Sequence, residues 1–146
     1  MGFTIYLSSL PDDPPAKFER ALVERAFAPI AAEMYGDGWS LRAPDGEWLA
    51  EVSLDDAPLI DGFRVNRPPS YDYLPGLYDA LFEILRQTRT FLFWLAAEGG
   101  GPHYCVADAD LIPPLVAQFG HYMGEPVLLA SGADIEPAIE ASFPGR

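Results

Sequence analysis

A chain of 146 residues is near the usual size of one folding domain and can bury its own core, so it needs neither disulfides nor a structural metal for stability. Hydrophobic residues at 49% and aromatic residues at 13% exclude general disorder, because ample apolar surface is available to offset chain entropy. The 22 acidic side chains against 9 basic ones give a formal charge of −13, a field that repels nucleic-acid phosphates and anionic membranes and favours a cationic partner.

Cys105 is the single cysteine, so an internal disulfide is excluded. The N-terminal residues show no basic stretch followed by a long apolar run, Tyr6 stands where a myristoylation pattern wants Ser or Thr, and no apolar segment reaches membrane-spanning length. The expectation is a cytoplasmic protein with no membrane and no nucleic-acid partner.

Along the chain, Thr4 to Leu7 reads as a short strand closed by a turn rich in proline and aspartate. A helix is expected next, capped by Asp12 or Asp13, with Phe18, Leu22, Ala26, Phe27, Ile30 and Met34 on one face and Gly36 as its stop. Pro29 interrupts that pattern and predicts a kink or two consecutive helices. From Trp39 to Arg42, Trp48 to Leu54 and Gly62 to Asn66 the residues alternate apolar and polar, which predicts an antiparallel meander with a turn at Ala43-Pro44-Asp45-Gly46.

A proline-bounded loop over 66–72 leads to a helix starting near Pro75, with Leu74, Leu77, Tyr78, Leu81, Phe82 and Leu85 on its apolar face. Thr90 to Leu95 is short, apolar and aromatic, and so predicts a central strand buried on both faces. A glycine-rich connector, a strand over His103 to Ala107, a short helix around Leu111 to Phe119, a strand over Pro126 to Ala130 and a helix over Asp134 to Phe143 complete the order, with Ser131 or Asp134 as caps for the last. The order β-α-βββ-α-ββ-α-β-α lacks regular βαβ alternation. It predicts one α+β domain over residues 1–146, with a mixed or largely antiparallel sheet covered by helices.

Few residues point to bond-making chemistry. Strand alternation would put His103 and Cys105 on one face, where an imidazole could activate a thiol, but no cysteine-hydrolase motif surrounds them and a buried packing role competes. Asp108 and Asp110 could share a divalent cation, although nothing continues them into a calcium loop and Asp110 could equally cap the helix beginning near Leu111. His121 has no second ligand at metal spacing, and Gly99-Gly100-Gly101-Pro102 lacks the Gly-Lys-Ser or Gly-Lys-Thr of a phosphate loop. No cofactor is expected. Arg64, Arg67, Arg86 and Arg89 form the one basic concentration and could hold an anion, pair locally or, for Arg86 and Arg89, offset a helix C-terminus.

Charge is distributed unevenly: residues 1–62 carry 12 acidic and 4 basic groups, 63–102 carry 4 and 4, and 103–146 carry 6 and 1. Asp45, Glu47, Asp55, Asp56 and Asp61 fall in expected loops and can face a cationic protein, although ordinary solvated turns would account for each of them. Trp39, Trp48, Tyr71 and Tyr73 are candidate aromatic anchors; Trp39 and Trp48 fit a core role equally well, so Tyr71 and Tyr73 are favoured because they lie in the proline-bounded loop.

The segment Phe63 to Pro69, followed by Leu77 to Arg86 and Phe91 to Trp94, resembles small immunity proteins encoded beside bacterial polymorphic toxins, over about a quarter of the chain. The resemblance implies a compact acidic protein that binds a cognate toxin and blocks its active site without performing a reaction. Two other classes remain open: a small enzyme using Cys105 with His103, or a metal at Asp108 and Asp110; and a housekeeping adaptor or self-assembling protein.

Overall fold

The computed structural model describes residues 3–12, 14–35, 38–42, 48–67, 75–95 and 102–142, with side chains at all of these except 3, 31–35, 42, 48–49, 67, 75 and 102. The described elements are β1 (Phe3–Ser9), β2 (Phe18–Glu19), α1 (Arg20–Phe27), β3 (Ala31–Tyr35), β4 (Gly38–Arg42), β5 (Trp48–Ser53), β6 (Leu59–Ile60) and β7 (Gly62–Arg67). They continue with α2 (Pro75–Gln87), β8 (Thr90–Leu95), β9 (Pro102–Val106), α3 (Ile112–Met123), β10 (Val127–Leu128) and α4 (Ile135–Ala141), and a 3-10 turn precedes each of α3 and α4.

Eight described strands form one sheet in the order β10-β9-β8-β1-β7-β5-β4-β3, and β2 and β6 form a separate two-stranded ladder. Every pairing in the large sheet is antiparallel except β9 with β10. This is the expected α+β architecture with a largely antiparallel sheet.

Strand alternation divides the sheet into two faces. Ile5 stands opposite Val65, Leu7 opposite both Phe63 and Leu92, and Trp39 opposite Val52, so their side chains line one face. Val23 and Phe27 of α1, Leu81 and Ile84 of α2, and Ile139 of α4 close over that face to make the main core. On the other face, Leu111 and Leu115 cover Phe91, Tyr104 and Val106, with Leu10 beside them. Only the β8–β9 end of this second face is capped by α3. Among the described residues no helix covers its β1–β7–β5 part, and this placement creates the candidate site.

Two residues hold the helices on the main core. Trp94 is buried and its indole N–H donates to the Ser142 hydroxyl at 2.8 Å, tying the end of α4 to β8. Gly132 lies so close to α2 that an added Cβ would fall 2.8 Å from the Tyr78 carbonyl oxygen, a separation only glycine tolerates.

Several expectations are corrected. The helix expected from Phe18 to Met34 exists only as α1: Phe18 and Glu19 pair with Ile60 and Leu59, and Ala31–Tyr35 is strand β3. Pro29 has no N–H and crowds the preceding turn, so the helix closes with the Ala28 N–H on the Glu24 carbonyl and the Ile30 N–H on Phe27. The start comes late for a similar reason. Residue Glu19 is extended (φ −73°, ψ 129°) and engaged in β2, so Asp12 does not cap this helix and instead pairs with Arg89 at 3.0 Å; Asp13 lies outside the described residues. Gly36 and the expected turn at 43–46 lie outside the described residues.

The strand expected over Pro126 to Ala130 is reduced to Val127–Leu128, and the helix expected to end at Phe119 continues to Met123. At the last helix, Asp134 accepts from the N–H groups of Ala130 and Ser131.

Candidate functional site

The connection between β5 and β7 carries Asp55, Asp56 and Asp61, all exposed. It is held at several points. Leu54 and Ile60 are buried in the main core, the Arg20 backbone N–H donates to the Pro58 carbonyl at 3.0 Å, and the Ser9 N–H donates to the Asp61 carbonyl at 2.8 Å. The ladder of β2 with β6 adds Phe18 opposite Ile60 and Glu19 opposite Leu59.

Arg20 is the clasp. Its guanidinium Nε donates to the Asp55 carbonyl at 3.2 Å, a terminal nitrogen bonds the Glu24 carboxylate, and the group lies 5.5 Å from the ring centre of Trp39. With 12% of its side chain exposed, this arginine is largely withdrawn from solvent. The carboxylates of Asp55, Asp56 and Asp61 make no ion pair with another described residue. Three exposed, unneutralised charges therefore stand on a segment whose backbone is already fixed.

A groove opens on each side of this connection. The first, about 620 Å³, lies on the uncovered sheet face and has Asp55 and Asp61 in its lining. Its floor follows the register: Phe93 faces Tyr6 across β8 and β1, Tyr6 faces Arg64, and Arg64 faces Ser53. The Tyr6 and Phe93 rings stack at 4.9 Å with an interplanar angle of 11°, giving a half-buried aromatic platform. The second groove, about 550 Å³, runs between α1 and β6 and is lined by Glu19, Glu24 and Asp56 over Ala21, Ala57 and Leu59.

Of the candidates from the sequence, Asp55, Asp56 and Asp61 come together here. Asp45, Glu47, Tyr71 and Tyr73 lie outside the described residues, as does the side chain of Trp48. Of the two roles open to Trp39, the core one holds and the anchor one does not: it is 2% exposed and stacks on Phe27 at 5.9 Å. Glu19, Glu24, Leu59, Tyr6 and Phe93 were not anticipated. The signals available for them were the i, i+4 spacing of Arg20 and Glu24 and an apolar Leu59 within an acidic connection.

The residues considered for catalysis are arranged otherwise. Cys105 is fully buried in the main core, where burial pushes its thiol up to about 12 and disfavours the thiolate near neutral pH. His103 shares that sheet face, as alternation requires, and stacks on Trp94 at 6.3 Å. Asp108 rather than Asp110 is the capping residue: its carboxylate accepts the Asp110 N–H at 2.9 Å and starts the 3-10 turn. Among the described residues no three His, Cys, Asp or Glu side chains gather at metal-ligand distance.

Three members of the basic concentration are dispersed, and the side chain of Arg67 lies outside the described residues. Arg86 bonds Glu83 on the last turn of α2, which lowers the Glu83 carboxyl pKa and raises that of Arg86, and Arg89 holds Asp12, while Arg64 stands on the open sheet face. No helix among the described residues is long and apolar enough to cross a membrane. No protein-family model, curated protein or solved structure matches the chain.

Proposed function

We propose that this protein acts by binding: it captures a cationic protein partner and blocks it, as an immunity protein blocks the bacterial toxin encoded beside it, and does so in the cytoplasm without a cofactor. The observation carrying this reading is the pinned connection 54–61, whose Asp55, Asp56 and Asp61 are exposed between two grooves. Opposite charge on a partner would be steered towards it, and a segment ordered in advance loses little entropy on docking. The Tyr6–Phe93 stack beside Asp55 and Asp61 supplies aromatic surface of the kind that anchors an interface. The formal charge of −13 disfavours nucleic acid and anionic membranes as alternatives.

The test is co-expression with the product of the neighbouring gene, followed by co-purification and a growth-rescue assay. Formation of a complex together with restored growth is expected. Failure of both would remove the proposal.

A further inference from the structure

We infer that the groove between α1 and β6 is an anchor site for a lysine or arginine side chain of the partner protein, an inference that rests on the binding reading above and gives it a place. The groove has the two features such a side chain requires. Its apolar lining, Ala21, Ala57 and the half-exposed Leu59 (51% exposed), suits a long methylene stem, and the carboxylates of Glu19, Glu24 and Asp56 suit its charged end.

Among the described residues the local charge is not cancelled. Arg20 is the cation in the lining, and its guanidinium is committed to Glu24, to the Asp55 carbonyl and to the Trp39 ring. Glu19 and Asp56 make no ion pair with another described residue. Three carboxylates against one occupied guanidinium leave a deficit that an incoming cation fills.

The groove is also built in advance. Glu19 and Leu59 face each other in the β2–β6 ladder, and the Arg20 N–H bond to Pro58 fixes the spacing between helix and loop. The groove on the open sheet face is a weaker anchor for a cation, because Arg64 lies in its lining beside Asp55 and Asp61.

The experiment is an NMR titration of the full chain with the blocked peptide acetyl-Gly-Leu-Arg-Leu-Gly-amide and with its citrulline counterpart, at about 0.15 M salt, where long-range attraction is largely screened. Saturable shifts are expected at the amides of Glu19, Ala21, Asp56 and Leu59 with the arginine peptide, and none with citrulline. Replacing Glu19→Gln together with Asp56→Asn should weaken binding about tenfold, while Glu140→Gln, an exposed charge on α4, should change it less than about twofold. Absence of saturation, shifts scattered over the acidic surface, or shifts confined to Tyr6, Asp61 and Arg64 would each overturn the inference. Peptide binding as described without capture of the neighbouring gene product would retain the groove and remove the immunity reading; capture without a response in this groove would do the reverse.

Discussion

Arg20 holds Asp55 across 35 residues of sequence: its Nε donates to the Asp55 backbone carbonyl at 3.2 Å, while its own N–H reaches Pro58 at 3.0 Å. One residue at the start of α1 thereby sets the position of the acidic connection. The bond uses the carbonyl and leaves the Asp55 carboxylate exposed, so the same residue supplies both attachment and charge.

Replacing Arg20→Ala should therefore cost about 2–4 kcal/mol, the sum expected for a hydrogen bond from a charged donor and a cation–π contact in a largely buried setting. The Glu24 pair adds little to this, since that carboxylate is 38% exposed and screened by water. Urea unfolding measures the loss. Hydrogen exchange should also show faster exchange at residues 55–61 in this variant than in wild type. Protection unchanged across that segment would contradict the clasp.

Gly62 begins β7 against the backbone of β1, and a Cβ there would fall 2.7 Å from the Leu7 carbonyl oxygen. Backbone cannot yield as a flexible side chain does. Gly62→Ala should destabilise by about 1–3 kcal/mol by thermal or urea unfolding, through separation of the two strands. A variant of wild-type stability would mean that the strands are farther apart than described.

The Cys105 thiol, raised by burial from an ordinary 9.0 to about 12, makes stability depend on alkaline pH. Between about 9 and about 12 the unfolded chain has released this proton and the folded chain has kept it, so stability falls as pH rises through that window. Below the window this group contributes no slope. Full separation of the two states gives about 1.4 kcal/mol per pH unit, and Cys105→Ala should remove that part of the slope in urea titrations at about pH 8 and about pH 10.5. A thiol reagent should accordingly label the native protein far more slowly than the unfolded chain. Rapid native labelling at neutral pH would return Cys105 to the list of reactive groups.

Ser142 accepts the Trp94 indole N–H at 2.8 Å and in turn donates to the Ile139 carbonyl at 2.6 Å. Removing the hydroxyl leaves a buried indole donor without its acceptor. Ser142→Ala should cost about 1–3 kcal/mol and perturb tryptophan fluorescence. Wild-type stability and an unchanged spectrum would contradict the attachment of α4 to β8.

The parts of the fold visible in the sequence are those set by local periodicity. Leu77, Tyr78, Leu81 and Leu85 define the buried face of α2 within one helical segment, and Thr90 to Leu95 has the length and apolar density of an interior strand, although it is not buried on both faces throughout: Phe93 is half-buried on the open face and Leu95 is exposed. The segment from Phe18 to Met34 misleads because its apolar spacing also fits a helix. Its actual structure depends on pairings with Leu59, Ile60 and β4, which no local window contains. The site divides in the same way. Asp55, Asp56 and Asp61 are legible as charges in a loop, but Glu19 and Glu24 join them only because the β2–β6 ladder and Arg20 bring α1 alongside. The aromatic platform was hidden for a related reason: Tyr6 and Phe93 are 87 positions apart in the chain and meet only through the β1–β8 register.

Recognition of a cationic protein by exposed carboxylates on the pinned connection can be read from association kinetics with the co-purified product of the neighbouring gene, comparing wild type with the triple variant Asp55→Asn, Asp56→Asn, Asp61→Asn. Each substitution removes a charge from an exposed position, so the fold should persist. The association rate should be lower by about tenfold or more in the variant, and the wild-type rate should fall steeply as salt increases. Equal rates for the two proteins with no dependence on salt would contradict recognition through these charges.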